Sequence, residues 1–547
     1  MKPMRETMRR YNGPVDVCVV GSGAGGAVVA KELAEGGLSV VVIEAGPWLD
    51  TREDFVNDEL TMLDGRLDWD DLRITAGEDP LAMGRNNTGR AVGGSTVHYT
   101  AVTLRLHEED FQVKTREGVA DDWPITYREL EPYYRNVEHY LAVSGPRRFP
   151  WPPFYGPYPH PELPWSARDR LLGEGMINMG LTPAKAPHAI IMGSKGDRSP
   201  CMMYGFCANG CKSDAKSSTL VTYIPDAVKA GAEIRDRCFA VRVNTDKRGM
   251  ARSVSYIHEG KTLEQEAEII VLSCYAVETP RLLLNSADSR SPDGLANSSG
   301  MVGRNFMVHL GDNVIGRFDR PIDNWITPPV GIMNQDRYST DPKADFVRGY
   351  TLEAYNMFPV EFFTTLVETN PYLWGKRLMD IVDQYDAYTV LGNVGEVLPD
   401  ERNFVSLAEE RDHYGVPVAK VTYSHSENSK RMSEASMRLC EEVLRAAGAR
   451  DIYRMPGTIH LLGTCRMGND PETSVIDRWC RSHDIPNLFI CDGSVFVTGG
   501  AVNPSLTIQA LAVRTAEHIR KHGKRHAQRR TIVAGAREEP SPARRWE

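Results

Sequence analysis

The chain has 547 residues, 41% of them apolar and 25% charged, values near the globular average that exclude a wholly disordered, collagenous or coiled-coil protein. At roughly 150 residues per domain, with large α/β enzymes running longer, the length fits two substantial domains able to enclose a cofactor. The net charge of −9, from 64 basic and 73 acidic residues, argues against a nucleic-acid binder, which needs a basic face.

No apolar run reaches the roughly 18 residues of a membrane span. Arg9-Arg10 could open a twin-arginine signal, but the apolar run behind it, Val15–Val20, is too short for a secretory core and leads straight into glycines. A cytoplasmic protein is expected.

The first forty-five residues read as β-α-β. Val15–Val20 is an apolar run of the buried parallel-strand type, residues 24–33 form a small-residue helix, and residues 38–43 form a second buried strand. Between the first strand and the helix stand Gly21, Gly23 and Gly26. In such a fingerprint Gly21 permits a tight turn, Gly23 lets backbone approach a pyrophosphate and Gly26 allows close helix packing. The helix N-terminus turns its positive dipole end toward the phosphates. Glu44 closes the second strand 18 residues after Gly26, where a carboxylate accepts hydrogen bonds from ribose hydroxyls and disfavours NADP. The fingerprint by itself leaves NAD and FAD both open.

Residues 145–165, crowded with Pro, Trp and Tyr, suit a rigid connector. Residues 233–273 alternate as antiparallel strands around Asp246 to Gly249 and then reach a buried strand, 268–273. From about 310 to 455 the segments are aromatic-rich and strand-like. A strand at 488–491 and a helix at 504–521 follow, with a frayed tail at 523–547. Asn503 before Pro504 reads as a helix N-cap with proline at the first helical position. Among ten cysteines, Cys201, Cys207 and Cys211 cluster. Three thiolates so close can ligate iron or zinc, or simply pack as small apolar residues. Lys212, Asp214 and Lys216 beside them read as ordinary surface charges.

Four further segments narrow the choice. They are Gly89-Arg90-Ala-Val-Gly93-Gly94-Ser-Thr-Val-His98, then residues 277–284 (Val-Glu-Thr-Pro-Arg-Leu-Leu-Leu), then His460-Leu-Leu-Gly-Thr-Cys-Arg-Met-Gly, and finally Asp492-Gly-Ser followed by Asn503-Pro504. With the N-terminal fingerprint, this ordered set resembles the glucose–methanol–choline (GMC) oxidoreductases, nearest in detail to the bacterial gluconate, fructose and glucoside dehydrogenases. The resemblance implies an α/β fold: a Rossmann-like FAD-binding domain beside a substrate domain with a large antiparallel sheet. The FAD parts would be 12–150, 201–310 and 456–522, with connector and substrate-side loops at 151–200 and the substrate-binding part at 311–455. Gly21, Gly23, Gly26, Glu44, Arg90, Gly93, Gly94, His98 and Asp492 would contact the cofactor.

Alcohol oxidation by a flavin needs a hydride acceptor, a base for the hydroxyl proton and a group to orient the carbinol oxygen. The resemblance gives His460 as base and Asn503 as its partner. It also implies that His98 can bond covalently to the flavin, and that Cys201, Cys207 and Cys211 can hold a [3Fe–4S] cluster passing electrons to a cytochrome. Ser273-Cys274-Tyr275 and Val497 depart from the family pattern, and Tyr275 is expected to change packing near the adenosine half. Tyr350, Tyr355, Phe358, Phe362 and Phe363 are candidates to stack on a sugar or to fill the sheet core. The expected reaction is oxidation of a CH–OH group of a sugar, sugar acid or glycoside. Oxidation of a non-sugar alcohol, a flavin-containing lyase or decarboxylase, a non-catalytic flavoprotein and a nicotinamide enzyme are the alternatives. Oxygen, a quinone and a cytochrome all remain open as electron acceptor, as does a small helper subunit.

Overall fold

The computed structural model describes residues 2–62, 72–83, 88–153, 156–322, 326–528. In chain order the elements that matter are β1 (Val15–Val20), α1 (Gly26–Glu35), β2 (Val40–Ile43), β3 (Glu233–Arg235), β4 (Phe239–Thr245), β5 (Ala251–His258), β6 (Lys261–Leu272), α2 (Tyr275–Asn285), β7 (Met307–Leu310), β8 (Asn313–Arg317), β9 (Val330–Asn334), β10 (Tyr350–Tyr355), α3 (Pro359–Thr369), β11 (Tyr388–Glu396), α4 (Glu427–Ala446), β12 (Arg450–Met455), β13 (Thr458–Leu462), β14 (Leu488–Ile490) and α5 (Ser505–Gln528).

The first sheet has strand order β3-β2-β1-β6-β5-β4, with β14 also paired to β6. Strands β3, β2, β1, β6 and β14 run parallel, and the β6-β5-β4 end is antiparallel. Both faces of the parallel part are covered, so β1 and β2 are almost continuously apolar and buried. Helix α1 buries Ala27, Val28, Val29, Ala30 and Leu33, and α5 packs against it and against the helix Tyr127–Leu141. The expected hairpin and buried strand at 233–273 are both present, but β6 joins them. Its first four residues, paired with β5, are exposed, and its last four are buried between β1 and β14.

The second sheet is antiparallel, in the order β12-β8-β11-β10-β9 and then the short strand Ala184–Lys185, with β7 bridging β11 and β13. The 310–455 stretch is not strands alone. It also contains α3 and the 20-residue α4, whose Met432, Ser436, Cys440, Val443 and Leu444 recur at helical spacing and pack on this sheet. Ser426 caps α4, its hydroxyl accepting from Ser429 N at 3.1 Å. The sequence hides this helix because its exposed face is almost entirely charged and polar. Near the C-terminus α5 continues to Gln528, five residues beyond the expected start of the tail; the remainder of that tail, 529–547, lies outside the described residues.

Candidate active site

The glycine loop is fitted to its surroundings by backbone contact. Gly21 has φ +95°, and a Cβ there would sit 2.3 Å from the Ser273 carbonyl oxygen. A Cβ on Gly25 would lie only 1.6 Å from the Cys491 carbonyl oxygen, so any side chain there drives the start of α1 away from the chain leaving β14. Gly26 plays the packing part expected of it, with a Cβ falling 1.9 Å from Gly21 O. Glu44 is buried, and its carboxylate accepts from Ser22 N (2.9 Å), Ser22 Oγ (2.7 Å) and Gly46 N (2.9 Å). Burial raises its carboxyl above the ordinary range, against the pull of these donors and of Arg90. Ser22 Oγ also accepts from Gly93 N at 2.9 Å, which ties the second glycine pair to the first.

A cavity of about 500 Å³ runs along this loop. Gly21, Gly23, Glu44, Gly94, His98 and Asp492 line it, together with His460, Asn503, Tyr355 and Phe358. Gly26, Arg90 and Gly93 stand behind the wall. Asp492 is fixed by donors on three sides, Tyr275 N (3.0 Å), Thr279 Oγ1 (2.6 Å) and Ser494 N (2.8 Å). Tyr275, the departure from the family pattern, lines the cavity wall with φ +67°.

The histidine end is shaped by a defect in the second sheet. Strands β7 and β13 pair Val308 with Leu461 and then His309 with Ile459, so His460 is the extra residue of a β-bulge. It sits at φ +54°, a conformation that costs a non-glycine residue on the order of 1 kcal/mol and re-aims its side chain. The ring is thereby turned into the cavity, while His309, fully buried, meets it from the partner strand with Nδ1–Nδ1 2.9 Å. Burial, and secondarily His309, holds the His460 imidazole well below its ordinary pKa, and burial brings His309 down to about 4. Both are neutral at pH 7. His460 is half-buried, with part of its surface open to the cavity.

Asn503 lines the same cavity. Helix α5 begins at Ser505, and no described group donates to Asn503 Oδ1, so the expected N-cap role is not found: the Asn503 side chain serves the cavity and leaves the helix end uncapped by it. Pro504 and Ser505, at the positive end of α5, line the same wall. Beside Asn503, Glu353 on β10 is fully buried. Burial pushes its carboxyl up to about 7, offset in part by the Tyr355 hydroxyl and the Asn503 amide. Sequence reasoning missed Glu353 and His309. His309 is the one polar residue of its strand and Glu353 the one charged residue of its strand, a pattern that more often marks a satisfied core group than a site.

His98 is buried, and no described group pairs with its Nε2. A Cβ on Gly89 would fall 2.6 Å from that nitrogen, so Gly89 leaves room for it. Burial, then the neighbouring Lys216 charge, lowers the imidazole to about 4. Lys216 corrects the reading of that loop as surface charge. It is 1% exposed, and its ammonium donates to the carbonyls of Val97, Tyr99 and Cys207, which clamps both residues flanking His98. Burial brings its pKa down to about 8. The three cysteines do share this loop. Cys201 Sγ accepts from Met203 N and Cys211 Sγ from Lys216 N, each at 3.4 Å. Among the described residues no group of three or more His, Cys, Asp or Glu side chains is arranged to hold a metal ion, so the [3Fe–4S] expectation at Cys201, Cys207 and Cys211 gains no support. Of the aromatic candidates, Tyr355 and Phe358 reach the cavity, while Tyr350, Phe362 and Phe363 pack in the cores behind the sheet.

A glycine-loop parallel sheet and an antiparallel sheet sharing one cavity, with a neutral histidine in its wall, define a nucleotide-dependent oxidoreductase. The chain belongs to the GMC oxidoreductase family: family models described as GMC oxidoreductase match residues 35–311 and 399–512. It is an FAD-dependent oxidoreductase acting on CH–OH groups. Similar proteins include 2-methyl-1,2-propanediol dehydrogenase of Mycolicibacterium austroafricanum, 32% identical over 92% of this chain and 95% of that one. Paromamine 6'-oxidase of Streptomyces fradiae is also 32% identical, over 92% and 91%, and the fructose dehydrogenase large subunit of Gluconobacter japonicus is 29% identical over 92% and 97%. The fold is that of Aspergillus oryzae formate oxidase, with TM-score 0.70 at 16% identity over 94% of this chain and 100% of that one. No helix among the described residues is long and apolar enough to cross a membrane.

Proposed function

We propose that the protein oxidises a secondary or primary alcohol of a sugar, sugar acid or glycoside, with His460 as general base. The observation that carries this reading is that His460 and Asn503 open into the same cavity as the glycine loop and Glu44. The residues present fit FAD: Gly21, Gly23 and Glu44 would hold the adenosine diphosphate half, and Gly94, His98 and Asp492 the flavin half. Bound FAD supplies the acceptor for the carbinol hydride.

This chain's residues do the rest. Neutral His460 takes the substrate hydroxyl proton at Nε2, the nitrogen left over by its contact with His309. Asn503 orients the hydroxyl oxygen, and the positive end of α5 steadies negative charge that develops nearby. Tyr355 and Phe358 give the cavity the aromatic wall on which a sugar ring stacks. Similarity to proteins named for sugar, diol and aminoglycoside substrates supports this class of alcohol.

A covalent link between His98 and the flavin is part of the reading, supported by the place of His98 in the cavity wall and by an Nε2 that no described group pairs with. Acid precipitation tests it: colour that stays with the pellet, and leaves it in His98→Ala, is expected, and wild-type colour released into the supernatant would refute the link. The function itself is tested by anaerobic bleaching of the flavin with fructose, gluconate and 2-methyl-1,2-propanediol. Bleaching by at least one of them that is lost in His460→Ala is expected; equal bleaching of wild type and variant would overturn the base assignment.

A further inference from the structure

We infer that His309 is a positioning residue that fixes the tautomer of His460, doing for it what a carboxylate does for the base of a catalytic triad. The inference rests on His460 being the base, as proposed above, and goes beyond it by naming what makes that base competent.

Two neutral imidazoles that meet through Nδ1 atoms 2.9 Å apart can share only one proton between those nitrogens. One ring must donate and the other accept, and the choice decides which nitrogen of His460 faces the cavity unprotonated. If His460 were the acceptor, its proton would sit on Nε2 and the ring could take nothing from a substrate. The fold biases the choice through the other end of His309. Its Nε2 is pressed against the Gly499–Gly500 turn so closely that a Cβ on Gly499 would fall 2.6 Å from it. The carbonyls of that turn favour a proton on the nitrogen, although neither closes a hydrogen bond of good geometry. With Nε2 protonated, neutral His309 keeps its lone pair at Nδ1. His460 therefore donates through Nδ1–H, and its Nε2 is the free base.

The turn cannot easily adjust to reverse this order. Tyr338 Oη donates to Asp110 (2.6 Å) and accepts from Ala501 N (3.3 Å), and Thr351 Oγ1 donates to Ala501 O (2.6 Å). Behind them the Arg348 guanidinium binds Asp110, Glu117 and Glu396 in a buried charge cluster. The bulge that turns His460 into the cavity begins at the His309 register, so one irregularity aims the base and seats its partner. Among the described residues neither imidazole has a carboxylate partner. When His460 gains the substrate proton, its Nδ1–H remains bound to the His309 lone pair, which steadies the imidazolium without placing a permanent negative charge near the flavin.

The test uses the flavin-loaded enzyme. In the 15N-histidine-labelled protein, with signals assigned by loss in His460→Ala and His309→Phe, His460 is expected to show protonated Nδ1 and bare Nε2, and His309 the reverse. The opposite pattern would overturn the inference, whatever the substrate. Kinetically, His309→Phe keeps ring volume but offers no acceptor, and its flavin reduction by fructose or 2-methyl-1,2-propanediol is expected to be about 10- to 100-fold slower, with KM within about twofold. His309→Asn places Oδ1 where Nδ1 stood and should recover most of the rate. A His309→Phe enzyme reduced at the wild-type rate, or a His309→Asn enzyme as slow as His309→Phe, would also overturn it. If His460→Ala reduces as fast as wild type, the base assignment itself has failed; if only the His309 variants are silent, that assignment stands and the positioning role falls.

Discussion

At the glycine end of the cavity the structure is made by backbone: Gly21 and Gly25 are pressed within 2.3 and 1.6 Å, counted from a notional Cβ, of carbonyl oxygens on neighbouring strands. At the histidine end it is made by side chains from separate strands, His309, Glu353, His460 and Asn503, whose chemistry burial decides. The glycines and the acid of the first end lie within thirty residues of one another, and backbone from Ser273 and Cys491 closes on them so tightly that a side chain at Gly21 or Gly25 has no room. The second is assembled from residues up to about 200 apart, from His309 to Asn503. The glycine loop is thus a local chain path braced by two distant carbonyls, whereas the histidine end exists only in the assembled sheet.

The largest expected effect breaks the chemistry and leaves the nucleotide end alone. His460→Ala should retain bound flavin while its rate of reduction by substrate falls by roughly 10²- to 10⁴-fold, read by anaerobic stopped flow; loss of flavin together with rate would show that the two ends are not separable. Gly25→Val does the converse. With a side chain driven into the Cys491 carbonyl, the purified protein should carry little or no flavin, and a fully yellow variant would mean the loop is more forgiving than its contacts imply.

Lys216→Met removes the cation that gathers three carbonyls around His98. Leaving buried carbonyls unpaired costs about 1–3 kcal/mol each, so a drop in melting temperature of several degrees should accompany a changed yield of acid-stable flavin. An unchanged melting temperature would restore the simple surface reading of that lysine.

The smallest effect concerns Glu353, which burial raises from its ordinary 4.5 to about 7. Between those values the unfolded chain gives up its proton and the native protein keeps it, so this residue's contribution to stability declines as pH rises through that window and is flat above it. Glu353→Gln lacks the decline. The melting temperature of the variant relative to wild type should therefore climb from pH 5 to about pH 7.5 by an amount corresponding to a few kcal/mol at most, and a constant difference would show that Glu353 is ionised throughout.

Much of this molecule can be read from its letters. The β1-α1-β2 unit, the strand at 488–490 and the helix before the tail announce themselves through apolar runs and glycine spacing, because their burial pattern repeats within a few residues. Helix α4 does not, since its apolar stripe is thin and its exposed face looks like loop. His460 and Asn503 are legible only as members of a motif. His309 and Glu353 are not legible at all, being a lone histidine and a lone carboxylate in short strands that otherwise read as core.

The sequence by itself determined that a nucleotide loop exists, which residues turn it and which acidic group stands at its end, because these depend on local φ, strand length and spacing. The assembled fold was needed to show that Lys216 is buried beside His98, that Asn503 lines the cavity without capping its helix, and that two histidines 151 residues apart share a hydrogen bond. The reason is physical. Burial, the register of a β-bulge and the direction of a proton on an imidazole are set by which strands lie next to each other, and no local property of the chain encodes that.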